Sequence, residues 1–495
     1  MAVMERMPGP EEFTISGNLV DVVSRRVYPA TVHIVSGVIR EIVPGPSGDG
    51  GVYITPGLVD SHVHVESSML PPAEFARVAL THGTLAVVCD PHEVANVMGV
   101  GGVEYMIGQA RRSPLRFAVG APSCVPATPF ETSGADIGPD DVEGLLSMDG
   151  VTHLAEVMNY PAVIAREETV MSKIHAAQRR GKPVDGHAPG LSGDDLAAYV
   201  GAGITTDHEV TTAREALEKI SKGMKVIIRE GSAAQNFNDL HGLIERHGSM
   251  CMMCTDDIHP DDLARGHMDT LVRRAVRLGH DPVEVVRCAS LVPVMHYGLP
   301  MGLVRQGDPA DLLVVDDISE FRVAHTYAAG RLVARYGKPL LEHEDAPCPN
   351  TFRARPIRKS DIEVPAAGGN MAVMEASSGS LYTTMTHEAP LVTGGLVASD
   401  VSRDILKIVV VNRYRAQRPQ VAFVRGFGLT SGALASSVAH DSHNIVAVGV
   451  HDEDICAAVN LVVERGGGLA LAGGGVADCL ELPIAGLMSP LDGWE

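Results

Sequence analysis

The sequence predicts an α/β protein built on a (β/α)8 barrel, with a small β-sandwich made from both flanks of the barrel and an additional C-terminal α+β domain. Three observations carry this expectation. Eight short apolar runs alternate with helical segments between residues 58 and 256. Strand-like segments lie on both sides of that block. A glycine- and valine-rich segment then follows a stretch rich in proline and arginine. At roughly 100–200 residues per domain, 495 residues also predict about three domains.

Taken in order, residues 13–43 read as short alternating strands, with turn signals at Ser16-Gly17-Asn18 and Ser36-Gly37. Barrel strands are expected at 58–64, 84–90, 116–125, 152–158, 183–187, 204–210, 225–229 and 250–256. Helical spacing fills the gaps, for instance at 72–81 and 212–222. A doubly wound sheet would also alternate, but it would carry a Gly-rich phosphate turn after its first strand, and none is present. Segments 260–278 and 282–291 read as helices, and 311–315 and 321–333 return to strand spacing. The expected division is 1–55 and 299–345 for the two parts of the small β domain, 56–298 for the barrel, 346–361 for a linker and 362–495 for the last domain. The glycine cluster at 466–475 lacks a following Gly-Lys-Ser/Thr, so hairpin turns explain it better than a phosphate loop.

Composition narrows the function. Hydrophobic residues make up 45% and charged residues 20%, which supports a packed core. With 40 Lys+Arg against 61 Asp+Glu, the net charge of −21 repels phosphate backbones and anionic lipid, so neither nucleic acid nor membrane is an expected partner. Residues 1–10 lack the apolar core of a secretory signal, and no run approaches the roughly 18 apolar residues of a bilayer span. Eight scattered cysteines then suggest reduced thiols and a cytoplasmic location. Cys251 and Cys254 lie three apart on an expected strand, which turns their sulfurs to opposite faces and makes a poor chelate.

Histidine is over-represented, at 21 residues. His62 and His64 share one face of the first barrel strand, because side chains two apart point the same way. Glu156, His187, His208 and Asp256 lie at the expected ends of strands four, five, six and eight. Barrel active sites form at the C-terminal ends of the strands, so topology would bring these six together. Four imidazoles and two carboxylates suit two adjacent divalent ions with one bridging carboxylate. Taken singly, each has a plainer structural role: an ion pair for Glu156, hydrogen-bonded core imidazoles for His187 and His208, a helix cap for Asp256.

This set resembles the amidohydrolase superfamily of metal-dependent hydrolases. The local words resemble more narrowly the bacterial-type adenine deaminases. They are Val-His-Val-Glu-Ser-Ser-Met within 57–69, Asp-Pro-His-Glu-Val-Ala-Asn-Val at 90–97, and the stretches 156–161, 186–191, 228–234 and 254–260. Ser-Ser-Val-Ala-His-Asp-Ser-His-Asn at 436–444 and the stretch 482–489 complete the match, which runs from about Phe13 to Ser489. The resemblance implies action on a purine with two divalent ions, manganese or iron first and zinc as an alternative, and a homo-oligomer (dimer) is expected. It also implies a proton-shuttling role for Asp256 and direct bridging by Glu156, since strand four has no lysine that could be carboxylated. Glu93 is expected to be catalytic, and Glu66, Ser67, Asp90, His92, His440 and His443 to contact substrate or an extra metal. Family members usually continue well past the 482–489 word, which leaves the packing of the last domain open. In the strand-eight word Asp256 is taken as the inward carboxylate, and alternation puts Asp257 on the other face.

The implied reaction is hydrolysis of adenine to hypoxanthine and ammonia. Another aminopurine, a cyclic amide, or a non-catalytic barrel scaffold remain open as alternatives.

Overall fold

The computed structural model describes residues 11–45, 51–378 and 381–495. The reading of residues 1–10 as free of a secretory signal lies outside the described residues. Eight parallel strands form the barrel: Leu58–Val63, Thr84–Cys89, Arg116–Ala121, Val151–Val157, Val184–Gly186, Thr206–Asp207, Lys225–Arg229 and Cys251–Cys254. The first five pair in sequence order, as do the last three. Backbone bonds join the two groups: Thr205 N–H donates to Val184 O at 2.9 Å. Strand eight closes on strand one through Asp256 N–H to His62 O at 2.9 Å and His64 N–H to Asp256 O at 3.1 Å. Every residue of the first two strands is buried, as expected for parallel strands covered by helices outside and side chains within.

Most expected elements are present, with shorter bounds. Pro72–Thr81 starts with proline at its first turn, where the missing N–H costs nothing, and Thr212 caps Ala213–Ser221. The expected helix 260–278 is two helices, Pro260–Arg265 and Met268–Arg277, separated at Gly266 and His267. His267 is fully buried against Asp60 and Thr84, and this anchoring interrupts the helix.

The flanks combine into one eight-stranded sheet, in which Tyr53–Pro56 pairs with Glu12–Asp21 on one side and Leu312–Val315 on the other. Its far strand, Val38–Pro44, returns to residues 308–310 through Ile39 N–H to Asp308 O, so the sheet closes over Leu19, Val32, Ile34, Ile39, Ile54 and Leu312. The expected turn at Ser16-Gly17-Asn18 is absent: Glu12–Asp21 is a continuous strand that turns after Asp21, whose carboxylate accepts from Val23 and Ser24 N–H. Gly17 has another use, because a Cβ there would meet Val52 O at 2.9 Å. It is a close-approach glycine inside a strand. The Ser36-Gly37 turn is present, with positive φ at both residues.

The last domain is an eight-stranded sheet with helix Asp452–Arg465 packed across one face. The glycine cluster sits in the hairpin formed by Gly468–Gly473 and Val476–Glu481. The 346–361 stretch is more than a linker, since Ile357 enters the core of the last domain. That domain lies against the barrel: Tyr414, Ile484, Leu487 and Met488 belong to the barrel's apolar core. Residues 489–494 run back over helix Pro72–Thr81, where Asp492 pairs with Arg77 at 2.9 Å and Ser489 N–H reaches Met69 O. Among the described residues no helix is long and apolar enough to cross a membrane.

Candidate metal centre

His62 and His64 project from the end of strand one with their Nε2 atoms 3.2 Å apart and ring planes nearly perpendicular, so both point at one position. Glu156, from strand four, faces this pair, with Oε1 3.3 Å from His64 Nε2. Its other oxygen lies 2.5 Å from His187 Nδ1 and 3.3 Å from His208 Nε2. Asp256 completes the ring, with Oδ1 3.2 Å from His64 Nε2 and Oδ2 3.9 Å from His208 Nε2. All six expected residues therefore meet at one end of the barrel. Glu156 stands in the middle, one oxygen toward the strand-one pair and one toward the strand-five and strand-six pair.

The electrostatics of this cluster favour cations. Glu156 and Asp256 are almost fully buried, and an unpaired buried carboxylate would be prohibitively costly. Burial pushes Asp256 up, but Arg229 and then His64, His208 and His62 outweigh it and hold the carboxyl well below its usual range. Burial likewise works against a charged His187, but Glu156 and Glu209 overcome it and raise the ring to about 9. His92 shows the same raised direction, from Asp90 and Glu93 against burial. Acids that draw protons onto buried imidazoles equally draw a metal ion. His92 Nδ1 and Nε2, Asp90 Oδ2 and His208 Nδ1 are buried without a hydrogen-bond partner. Mixed imidazole and carboxylate donors of this kind hold divalent cations of the first transition row.

Asp90 and His92 lie beside the cluster, His92 Nδ1 being 3.1 Å from Asp90 Oδ2 and 3.5 Å from Glu156 Oε1. Glu93 touches the cluster only through His92, whose Nε2 is 3.3 Å away. Its own oxygens are taken by the last domain, one by His440 Nδ1 at 2.5 Å and the other by His443 Nε2. Glu66 is buried and accepts from Val94 N–H at 3.1 Å, and burial raises its carboxyl to about 7. Ser67 donates to Asp257 at 2.6 Å. Asp257 is thus not turned to the opposite face as strand alternation implies. Asp256 has φ 57°, outside the strand region, and this break brings Asp257 to the rim of the same site.

Sequence reasoning missed three residues. Arg229, at the end of strand seven, donates to Asp256 Oδ2 and to Glu209. Glu209 follows His208 and stands 4.0 Å from His187 Nδ1. Asp441 lies 3.6 Å from His92 Nε2. Position at a strand end was an available signal for Arg229, and adjacency to His208 for Glu209. A cavity of about 230 Å³ lined by Ser232, Asp262 and His267 lies outside the cluster and contains none of its six donors.

The chain matches the amidohydrolase family over residues 53–333 and the adenine deaminase C-terminal domain over residues 380–495. It is 53% identical to an adenine deaminase of Salinibacter ruber over 481 residues, covering 97% of this chain and 88% of that protein. The chain belongs to the adenine deaminase family. An adenine deaminase of Methanosarcina barkeri is 47% identical over 97% of this chain and 89% of its own length. Among solved structures, a β-aspartyl dipeptidase of Fervidobacterium islandicum shares the fold, with a TM-score of 0.51, 15% identity and coverage of 68% of this chain and all of that one. The superposition with that dipeptidase concerns fold alone; the adenine deaminase family match extends to the His440–His443 segment of the last domain, which reaches the barrel mouth.

Proposed function

We propose that the chain hydrolyses adenine to hypoxanthine and ammonia at the His62–His64–Glu156–His187–His208–Asp256 cluster. The observation that carries this reading is near-full-length similarity to adenine deaminases in a chain whose six donors converge at the barrel mouth. Two divalent ions, when bound, make hydroxide available at neutral pH by lowering the pKa of water from about 15.7 toward 7. We assign manganese or iron as the resident metal, with zinc fitting the same donors.

Asp256 carries the proton. Oδ2 is engaged by Arg229, which leaves Oδ1 to take the proton of the attacking water and return it to the departing nitrogen. Attack at C6 makes a tetrahedral carbon bearing oxygen and nitrogen, and the returned proton lets ammonia leave. Ser67, Asp257 and Glu66, at the rim of the cluster, are assigned to reading the purine. Glu93, which faces His440, His443 and His92, acts as a positioning residue on His92.

We propose a cytoplasmic setting, in keeping with eight cysteines scattered through the chain. For assembly we infer a homodimer. On a chain of charge −21, the outer face of the last sheet presents Leu434, Leu471 and Leu480, each about half exposed, with Asp478 as the charged neighbour of Leu471, which suits a second copy. A monomer mass in sedimentation at micromolar concentration rejects the dimer.

The experiment for the activity is ammonia release from adenine by protein produced with excess Mn²⁺ and an iron chelator. Ammonia matched by hypoxanthine, lost on stripping the metal and regained on its return, is the expected result. Protein holding at least two ions per chain that releases no ammonia rejects adenine as substrate.

A further inference from the structure

We infer that Glu93, His92, His440 and His443 form a third cation site, of zinc type, that fastens the last domain to the mouth of the barrel. It is separate from the six-residue cluster and does not depend on which substrate the barrel takes.

The donors come from two distant parts of the chain. His92 and Glu93 open the helix His92–Met98, just after strand two, and His440 and His443 lie in a loop about 350 residues later. Glu93, His440 and His443 place one donor atom each within 4.8 Å of the others. Beside this group, His92 Nε2 lies 3.3 Å from Glu93 Oε1 and 3.6 Å from Asp441 Oδ1. Bonds of about 2.0–2.2 Å to a tetrahedral ion separate its ligands by about 3.3–3.6 Å. Two imidazoles and one carboxylate, with the His92 imidazole beside them as the fourth donor of the inferred site, are a zinc-like set.

A hydrogen-bonded clamp is the competing account, and His92 decides against it. In that account His440 and His443 donate to Glu93, while Ala439 N–H reaches His443 Nδ1 at 3.3 Å. Both nitrogens of His92 then lack a well-directed hydrogen bond, in a ring that is 97% buried with the carboxylates of Asp90 and Glu93 at 3.1 and 3.3 Å. A buried polar atom left without a directed partner is destabilising. Two cation sites remove the cost together: Nδ1 faces Asp90 and Glu156 of the first cluster, and Nε2 faces Glu93 and Asp441 of the second. His92 then stands between them. The His440 side chain is 36% exposed, which leaves a path for an ion to enter.

The test is metal stoichiometry in the full chain. Protein stripped with a chelator is reloaded with Zn²⁺, freed of excess ion, and assayed for zinc per chain. The wild type should hold three ions and the double variant His440→Ala/His443→Ala two. If the double variant does not fold, His440→Ala alone should weaken one zinc by about tenfold or more, with the other two unchanged. A wild type with fewer than three ions, a double variant that keeps three, or a single variant with three unweakened ions overturns the inference. Two ions with full adenine turnover sinks this site alone. Three ions without ammonia release sinks only the functional reading.

Discussion

The guanidinium of Arg229 donates to Asp256 Oδ2 from the neighbouring strand, while Oδ1 of the same carboxylate faces His64 at 3.2 Å. Arg229 also holds Glu209 with a second nitrogen at 3.1 Å. The arginine therefore orients the carboxylate proposed to carry the proton and balances two buried or half-buried acids. Arg229→Met should cost about 3–5 kcal/mol of stability, because it strands a buried carboxylate. It should also lower kcat/KM by about 100-fold through misplacement of Asp256. Arg229→Lys should recover only part, since a point charge cannot reproduce the fork. Steady-state kinetics with an unfolding curve on each variant decides; unchanged kcat/KM in Arg229→Met refutes the aiming role.

Asp256→Asn keeps the size and burial of the side chain and removes its ability to carry a proton. Turnover should fall by about 10²–10⁴, with most of the bound metal retained. Metal content and ammonia release measured on the same preparation separate the two effects, and near-normal turnover would eliminate Asp256 as the shuttle.

His153, three residues before Glu156 and fully buried, is pushed down to about 3, chiefly by burial and then by His296 and Lys182. Its unfolded pKa is about 6.5, so between pH 6.5 and 3 the unfolded chain binds the extra proton and stability is lost as pH falls. Asp185, at 3.5 Å, has the opposite slope: burial raises it to about 7, so its contribution is lost as pH rises from about 3.8 to 7. Replacing His153 by Gln removes only the first slope. The stability gap between variant and wild type should therefore narrow by about 2 kcal/mol from pH 7 to pH 5. Urea midpoints of both proteins at the two pH values measure this, and a constant gap would show that His153 is not buried neutral.

Lys219 is wholly buried and donates to Asp207 at 2.7 Å, to Glu215 at 2.6 Å and to Ala188 O at 2.7 Å. It anchors strand six beside His208. Lys219→Met leaves Asp207 buried and unpaired, and should lower stability by about 3–5 kcal/mol. Thermal unfolding read alongside metal content is the measurement. An unchanged midpoint would mean that Asp207 takes up a proton or water at little cost.

Much of this was legible in the chain itself, because it depends on local period. Strand and helix spacings located the eight barrel strands, and two-residue alternation with strand-end position selected His62, His64, Glu156, His187, His208 and Asp256. Where local period failed, a tertiary contact had overridden it. Gly17 reads as a turn but lies in a strand, because the backbone of Val52 needs the space a side chain would fill. The helix expected at 260–278 breaks where His267 is drawn into the wall of the barrel. Asp257 reaches the rim because Asp256 leaves the strand conformation.

Sequence by itself determined the barrel strands and the strand-end positions of the six candidate donors, since both follow from local period and from which face of an element a residue occupies. Only the tertiary structure decided that Arg229 holds Asp256, that Glu209 stands behind His187, and that Glu93 meets His440 and His443 across about 350 residues of chain. Periodicity reports the face of one element. Which faces meet is settled by barrel closure and by burial of the last domain's apolar residues against the barrel core, and those are properties of the packed whole.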